Sequence, residues 1–551
     1  MNKCDFIVKS KNVFTAKLPL DVRELAFSIK DGKIEKIGDP SSIINAYPSN
    51  TKLIDFKEKL ICPGFHDSHL HFFHTSLTNS PHMLMCMGKS EADLVEKTKE
   101  FAKTLDDSSW IVTQGWRYYR WNPKKYPSKH SLDKAFPTRP CVMYSGDGHT
   151  LWLNTCAMEK LKLTTDDNIK NDPGCDLEDD GDLSGIFHES LAMRLLPKCL
   201  EWLSDKQITS AYEDQMKRMR KLGLTSFCDM SLMPLEGCDF IRDDIYDILS
   251  YHDNMLLRAH LFPTLLDNTS RLTSLEKKYE DNDFVFASGF KQFFDGVSSE
   301  HTAYLTEPYT NARFEGDRGR LTIEKEEMRK LVLKAASLRK PIRIHTIGDA
   351  AIHEALKIYL EAINKFGQPK VTYEGREFDA HNTLEHLENL LSCDIDLLKQ
   401  TKTIASSQPC HITLDPGGPE RDLGDERCKL MWPFKTYEEN KILQSFGTDS
   451  PITQVDPMNV LYTAITRKDP FTHEPRDGWH PEQKITPTMA LFNYTYGSAC
   501  AASNEHNLGS LEENKFADFT ILDQNILEYD PEKIQDTKVI DSYVAGKSFY
   551  D

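Results

Sequence analysis

At 551 residues the chain is too long for one minimal domain of roughly 100–200 residues, so it holds several domains or one large barrel with added modules. Hydrophobic residues make up 39% and charged residues 28%, with 27 Gly and 27 Pro, which excludes fibrous and disordered classes for the bulk of the chain. Asp and Glu (85) outnumber Lys and Arg (67), and the resulting net charge of −18 speaks against a nucleic acid partner and against an anionic membrane surface.

Residues 1–9 contain no apolar stretch of signal-peptide length, and no run of about 18 apolar residues occurs anywhere, so no transmembrane helix is predicted. The 13 cysteines are odd in number, scattered from Cys4 to Cys500, and form no C-x-x-C pair. Reduced thiols in a cytoplasmic protein are the expectation. The first 60 residues read as short strands over 6–8, 12–14, 25–29 and 33–37, with Asp31-Gly32 as a hairpin signal. Residues 516–523 and 539–547 read the same way, so both termini are expected to build one small β module.

Between these ends the pattern changes. Short apolar strands are predicted over 61–66, 225–230, 256–262, 288–295, 341–347, 381–387, 403–408 and 443–448. Amphipathic helices fall between them, including 325–339 and 350–365, the latter with Asp349 as N-cap. Eight strands alternating with helices predict an α/β fold, a (β/α)8 TIM barrel, with a doubly wound sheet as the alternative. No G-x-G-x-x-G turn supports that alternative. The stretch from His71 to Thr225 far exceeds the roughly 40 residues of a βα unit. Residues 75–205 are therefore predicted to be an insertion after the first strand, overhanging the catalytic face of the barrel. The expected organisation is 1–58 and 491–551 as the two parts of a β-sandwich with a final helix, and 59–490 as the barrel.

His69 and His71 stand two apart, so on a strand both imidazoles face one side. His345 ends the fifth predicted strand, His386 the sixth and Asp449 the eighth, all at strand C-termini where barrel sites assemble. Imidazole and carboxylate donors suit Zn2+, Mn2+ or Fe2+. In the insertion, Trp116 and Tyr119 belong to an aromatic block that either lines a substrate pocket or is plain core.

The chain resembles the amidohydrolase superfamily of metal-dependent hydrolases, and more narrowly the amidohydrolase family 3 branch that includes N-substituted formamide deformylases. The motifs that carry the resemblance are Pro63-Gly64-Phe65-x-Asp67-x-His69-x-His71, Asp147-Gly148-His149 and Gly289-Phe290-Lys291-x-Phe293-x-Asp295-Gly296. They continue with His345-x-Ile347-Gly348-Asp349, Glu385-His386, Gly447-x-Asp449-x-Pro451 and Gly509-Ser510-Leu511-Glu512. The resemblance implies a barrel with a β-sandwich from both termini. It also implies one or two zinc ions, with His69, His71, His345, His386 and Asp449 as metal ligands. Lys291 matches a fourth-strand lysine that is carboxylated and bridges two metals in many relatives; read from sequence alone it is a buried lysine paired with Asp295 or Glu300.

Asp449 would be the general base, with His386 and its neighbours stabilising the oxyanion. His149 and Glu189 would face the substrate. Relatives commonly read Ser-Leu-Gly-Ser-Arg-Thr-Ala after the fourth strand, where this chain has Val297 to Ala303, so Glu300 falls in a segment that sets substrate preference. Asn514 stands where a turn glycine is usual.

The reading that follows is hydrolysis of a non-peptide C–N bond in a small amide, an N-substituted formamide or a relative of it. The partner is that small molecule, with no nucleic acid or membrane, and a homodimer is compatible with it. Two rivals stand beside this reading: a cyclic amide or carbamate hydrolase with the same site, and a catalytically silent binding protein. The complete ligand set favours an enzyme.

Overall fold

The structure is a computed structural model describing residues 3–550 except 147, 149, 166 and 234, with only the backbone described for 119, 165, 167 and 189. Where a single strand over 61–66 was expected, the chain makes two, Leu60–Pro63 and Phe65–Leu70. Gly64 is the break. A Cβ there would come within 2.1 Å of the Thr225 side chain, so only glycine lets the first strand of the parallel array lie against its neighbour.

Leu60–Pro63 instead pairs with Phe519–Leu522 in an eight-stranded mixed sheet drawn from both ends of the chain. This sheet also holds Phe6–Phe14, which runs through both short N-terminal predictions as one strand with an irregularity between Ser10 and Val13. Asp31 and Gly32, at φ 49° and 74°, form the turn between Val22–Lys30 and Lys33–Gly38, as a two-residue hairpin with left-handed central positions requires. Val8, Phe27, Ile29, Ile61, Phe519 and Ile521 form its core.

The parallel strands follow in chain order. Phe65–Leu70 pairs with Leu224–Met230, which pairs with Arg258–Phe262 and then Val285–Ala287. Past Gly289 the chain resumes as Phe290–Phe293, paired in turn with Ile342–Thr346, Thr383–His386, Ile404–Ser407 and Gln444–Phe446. Single parallel bridges, Leu70 to Ser450 and Thr264 to Lys291, join the two sheets. Nearly every residue of these strands is buried, which is why they read as apolar runs and not as alternating ones.

Helices Lys325–Ser337 and Asp349–Phe366 bury faces at helical spacing, Met328, Leu331, Val332, Ala335 on one and Ile352, Ala355, Leu356, Tyr359 on the other. They share a core with Ile342, Ile344 and Leu384, and each buried leucine or isoleucine contributes roughly 1.5–3 kcal/mol. The N-cap of the second helix is Gly348 and not Asp349, as expected from sequence. Asp349 is the first helical residue, and its carboxylate is taken up by the Thr306 amide and hydroxyl.

Residues 73–215 form a compact unit of their own, and 1–72 with 216–551 form the other. The smaller unit has a six-stranded sheet in the order Cys175–Leu177, Leu183–His188, Thr150–Leu153, Cys141–Ser145, Ile111–Trp116, Leu84–Met85. All thirteen cysteines are free. No helix among the described residues is long and apolar enough to cross a membrane.

Candidate metal centre

Two strands far apart in the sequence are tied together at the centre. The amide of Asp449 donates to the His69 carbonyl (2.7 Å) and the amide of His71 to the Ser450 carbonyl (2.9 Å). Asp67, fully buried, accepts from the His69 and Thr448 amides and the Thr448 hydroxyl, clamping the Thr448–Asp449 turn to the first strand. Burial pushes the Asp67 carboxyl up to about 6, against those hydrogen bonds. Asp449 (φ 54°) and His386 (φ 72°) both sit in the left-handed region, costly for a residue with a Cβ and held only where the surroundings dictate it.

The result is a convergence of His69, His71 and Asp449, all buried, whose ligand atoms lie within 4.8 Å of one another. His71 Nδ1 is 3.0 Å from the Met230 carbonyl, which can only accept, so Nδ1 carries the proton. His69 Nδ1 is 2.5 Å from Glu385 Oε2. Burial raises the Glu385 carboxyl, but Arg343 and His69 outweigh it and hold Glu385 ionised, an acceptor as well. Arg343 Nε fixes the other oxygen at 2.6 Å.

Both inner nitrogens therefore present lone pairs, His69 Nε2 at 3.3 Å and His71 Nε2 at 3.2 Å from Asp449 Oδ1. Three acceptors facing one point with no proton among them is a donor set that fits a divalent cation.

The other predicted ligands surround this trio without joining it. The His386 ring lies 5.2 Å from that of His69 and 4.4 Å from that of His345. His345 Nε2 donates to the Gly296 carbonyl at 3.2 Å. Burial lowers the His345 imidazole to about 3, with Lys291 adding to it, and burial with His345 drives His386 far down as well, so both stay neutral, the form that binds metals.

Lys291 is fully buried with no hydrogen-bond partner for Nζ among the described residues. Burial brings its ammonium down to about 8 against the pull of Glu385 and Asp449. The alternative pairing of Lys291 with Asp295 or Glu300 is not what forms. Asp295 accepts from the Tyr304, Ile347 and Gly348 amides. Glu300, in the turn Ser298–Glu300, lies 3.8 Å from Arg313.

Trp116 is a correction. It is 1% exposed in the core of the smaller unit, its indole N–H donates to the Met143 carbonyl, and its ring meets Trp152 edge-on at 6.2 Å. It belongs to the core that holds that unit together, the second of the two readings its sequence offers. His149 lies outside the described residues, and so do the side chains of Tyr119 and Glu189.

Sequence reasoning passed over two further residues. His411 and Glu388, with His386, form a second group of donors within 4.8 Å. His411 Nδ1 is 3.8 Å from Glu388 Oε1, and its Nε2 is 3.7 Å from Asp449 Oδ2. The signal existed: His411 follows the strand Ile404–Ser407 just as His345 and His386 end theirs.

Comparison with known proteins gives one family, described as amidohydrolase family, matching residues 52–550. The chain is similar to the protein LONG AFTER FAR-RED 3 of Arabidopsis thaliana, 26% identical over 99% of this chain and 91% of that one. It is also similar to the N-substituted formamide deformylase of Arthrobacter pascens, 20% identical over 96% of this chain and 95% of that one. Among solved structures, an uncharacterized metal-dependent hydrolase from Pyrococcus horikoshii shares the fold with a TM-score of 0.75 at 23% identity, covering 96% of this chain and 99% of that one.

Proposed function

The chain belongs to the amidohydrolase family, and from that footing we propose that it is a zinc-dependent hydrolase of a non-peptide C–N bond in a small amide, an N-substituted formamide or a close relative. The scaffold is read as a (β/α)8 barrel with a β-sandwich from both termini. One observation carries the proposal: the lone pairs of His69 Nε2 and His71 Nε2 and the Asp449 carboxylate are turned to one point by hydrogen bonds on their outer sides.

His69, His71 and Asp449 would hold the metal, with His345, His386 and a carboxylated Lys291 completing a one- or two-ion centre. When bound, the cation supplies an acidified water, its pKa brought from 15.7 toward roughly 7, and a polarised carbonyl. Asp449 Oδ2, on the side away from His69 and His71, takes a proton from the attacking water and returns it to the leaving nitrogen. The neutral His386 ring beside it offers a dipole to the developing oxyanion. Glu300, His149, Tyr119 and Glu189 are the residues proposed to face the substrate. The intact donor trio weighs against a catalytically silent binding protein.

The test is amine release from a panel of N-substituted formamides, cyclic amides, carbamates and dipeptides, run with zinc and after chelation. Zinc-dependent release from small formamides is expected. No turnover of any amide, or turnover that survives complete chelation, contradicts the proposal.

A further inference from the structure

Away from the centre, His353, Cys393 and Asp394 bring an imidazole, a thiol and a carboxylate together, with ligand atoms within 4.8 Å of one another. His353 lies on the helix Asp349–Phe366, and Cys393 and Asp394 open the helix Asp394–Thr401. His353 Nδ1 is 2.7 Å from Asp394 Oδ1, and Cys393 Sγ is 3.8 Å from the same oxygen.

Asp394 is the anomaly. Its side chain is fully buried, yet Oδ2 accepts no hydrogen bond, and among the described residues no Lys or Arg pairs with it. A first-turn position favours a carboxylate, but only by about 0.3–1 kcal/mol. A second buried carboxylate, Asp349, acts on it repulsively through space. An unsatisfied buried oxygen of this kind costs about 1–3 kcal/mol, so the surroundings are short of positive charge.

We propose that His353, Cys393 and Asp394 form a second, separate divalent-cation site, selective for Zn2+, that fastens the loop 387–393 to the helix Asp349–Phe366. Sulfur with imidazole and carboxylate selects zinc over magnesium or calcium. Around tetrahedral zinc, with bonds of 2.0–2.3 Å, donor atoms stand about 3.3–3.5 Å apart. The observed 3.8 Å sulfur–oxygen separation must close slightly and the 2.7 Å nitrogen–oxygen one must open by about 0.6 Å, within reach of side-chain rotation. Binding moves the imidazole proton from Nδ1 to Nε2 and releases the thiol proton to water. A fourth position is left for solvent. Because the loop carries Glu388 and follows His386, the clamp also steadies one flank of the centre.

The cobalt-substituted full-length protein provides the test, because thiolate bound to Co2+ gives a charge-transfer band that histidine and carboxylate ligands do not, and no cysteine is among the ligands of the first centre. A thiolate band is expected in the wild type, and it should persist in the His69→Ala/His71→Ala variant. It should vanish in Cys393→Ser, an exposed position, with the loss of about one zinc equivalent per chain. His353→Gln should weaken zinc at this site by at least about tenfold, measured by chelator competition. Lack of a thiolate band, a band that survives Cys393→Ser, or a band lost with His69 and His71 overturns the proposal.

Discussion

His71 and Asp449 meet acceptor to acceptor: Nε2 lies 3.2 Å from Oδ1 while the only ring proton of His71 is committed to the Met230 carbonyl. His69 repeats the arrangement through Glu385. Such contacts are repulsive unless a cation stands between them, and the outer hydrogen bonds that enforce them come from different strands of the parallel array.

Glu385→Gln tests the enforcement. The amide keeps the shape but weakens the grip on His69 Nδ1 and loses the charge facing Arg343, so zinc affinity measured by chelator competition should fall roughly 10–100-fold. Unchanged affinity in a folded variant would mean that Glu385 does not orient His69.

Asp449→Asn should fold and reduce kcat on the best amide by at least about 10²-fold, the usual scale for a general base. A variant with wild-type kcat removes Asp449 from proton transfer.

How much of this was legible in sequence depends on whether the partner is a side chain. His69, His71 and Asp449 could be found because ligand types recur at strand ends, and the strands because buried parallel strands are apolar throughout. Gly64, which splits one predicted strand into two, acts only through contact with Thr225, a residue far off in the chain. The Met230 carbonyl leaves no mark in any sequence, since every residue has one. Glu385 was noticed only as the neighbour of His386, because nothing local says that a buried acid is paired with Arg343 and His69. Trp116 misled because an aromatic block reads alike as core or pocket, and burial around Met143 and Trp152 decides it.

Lys291 is predicted to carry a carboxyl group. A buried amine brought down to about 8 has a neutral fraction able to add CO2, and its Nζ has no competing hydrogen-bond partner among the described residues. Native mass measurement should show the added mass of CO2, absent in Lys291→Ala. A wild-type mass without it, in metal-loaded protein, argues for an unmodified lysine.

Glu505 should make the protein less stable in mild base. Burial pushes its carboxyl from 4.5 up to about 7, and Oε2 has no partner. A raised acid means the folded chain keeps a proton that the unfolded chain has lost, so stability falls as pH climbs from about 4.5 through about 7. Glu505→Gln should melt higher than wild type at pH 8 by up to about 3 kcal/mol of stability, and nearly level with it at pH 4.5. A gain that is the same at both pH values would show that ionisation is not its source.

The central claim is that His69, His71 and Asp449 hold a metal ion, and metal analysis of purified, zinc-equilibrated protein tests it most directly. Using the Cys393→Ser background confines the count to this centre. About one to two equivalents of zinc per chain are expected there, falling to near zero when His69→Ala and His71→Ala are added, with the secondary structure retained. Full zinc occupancy in that folded triple variant would contradict the account.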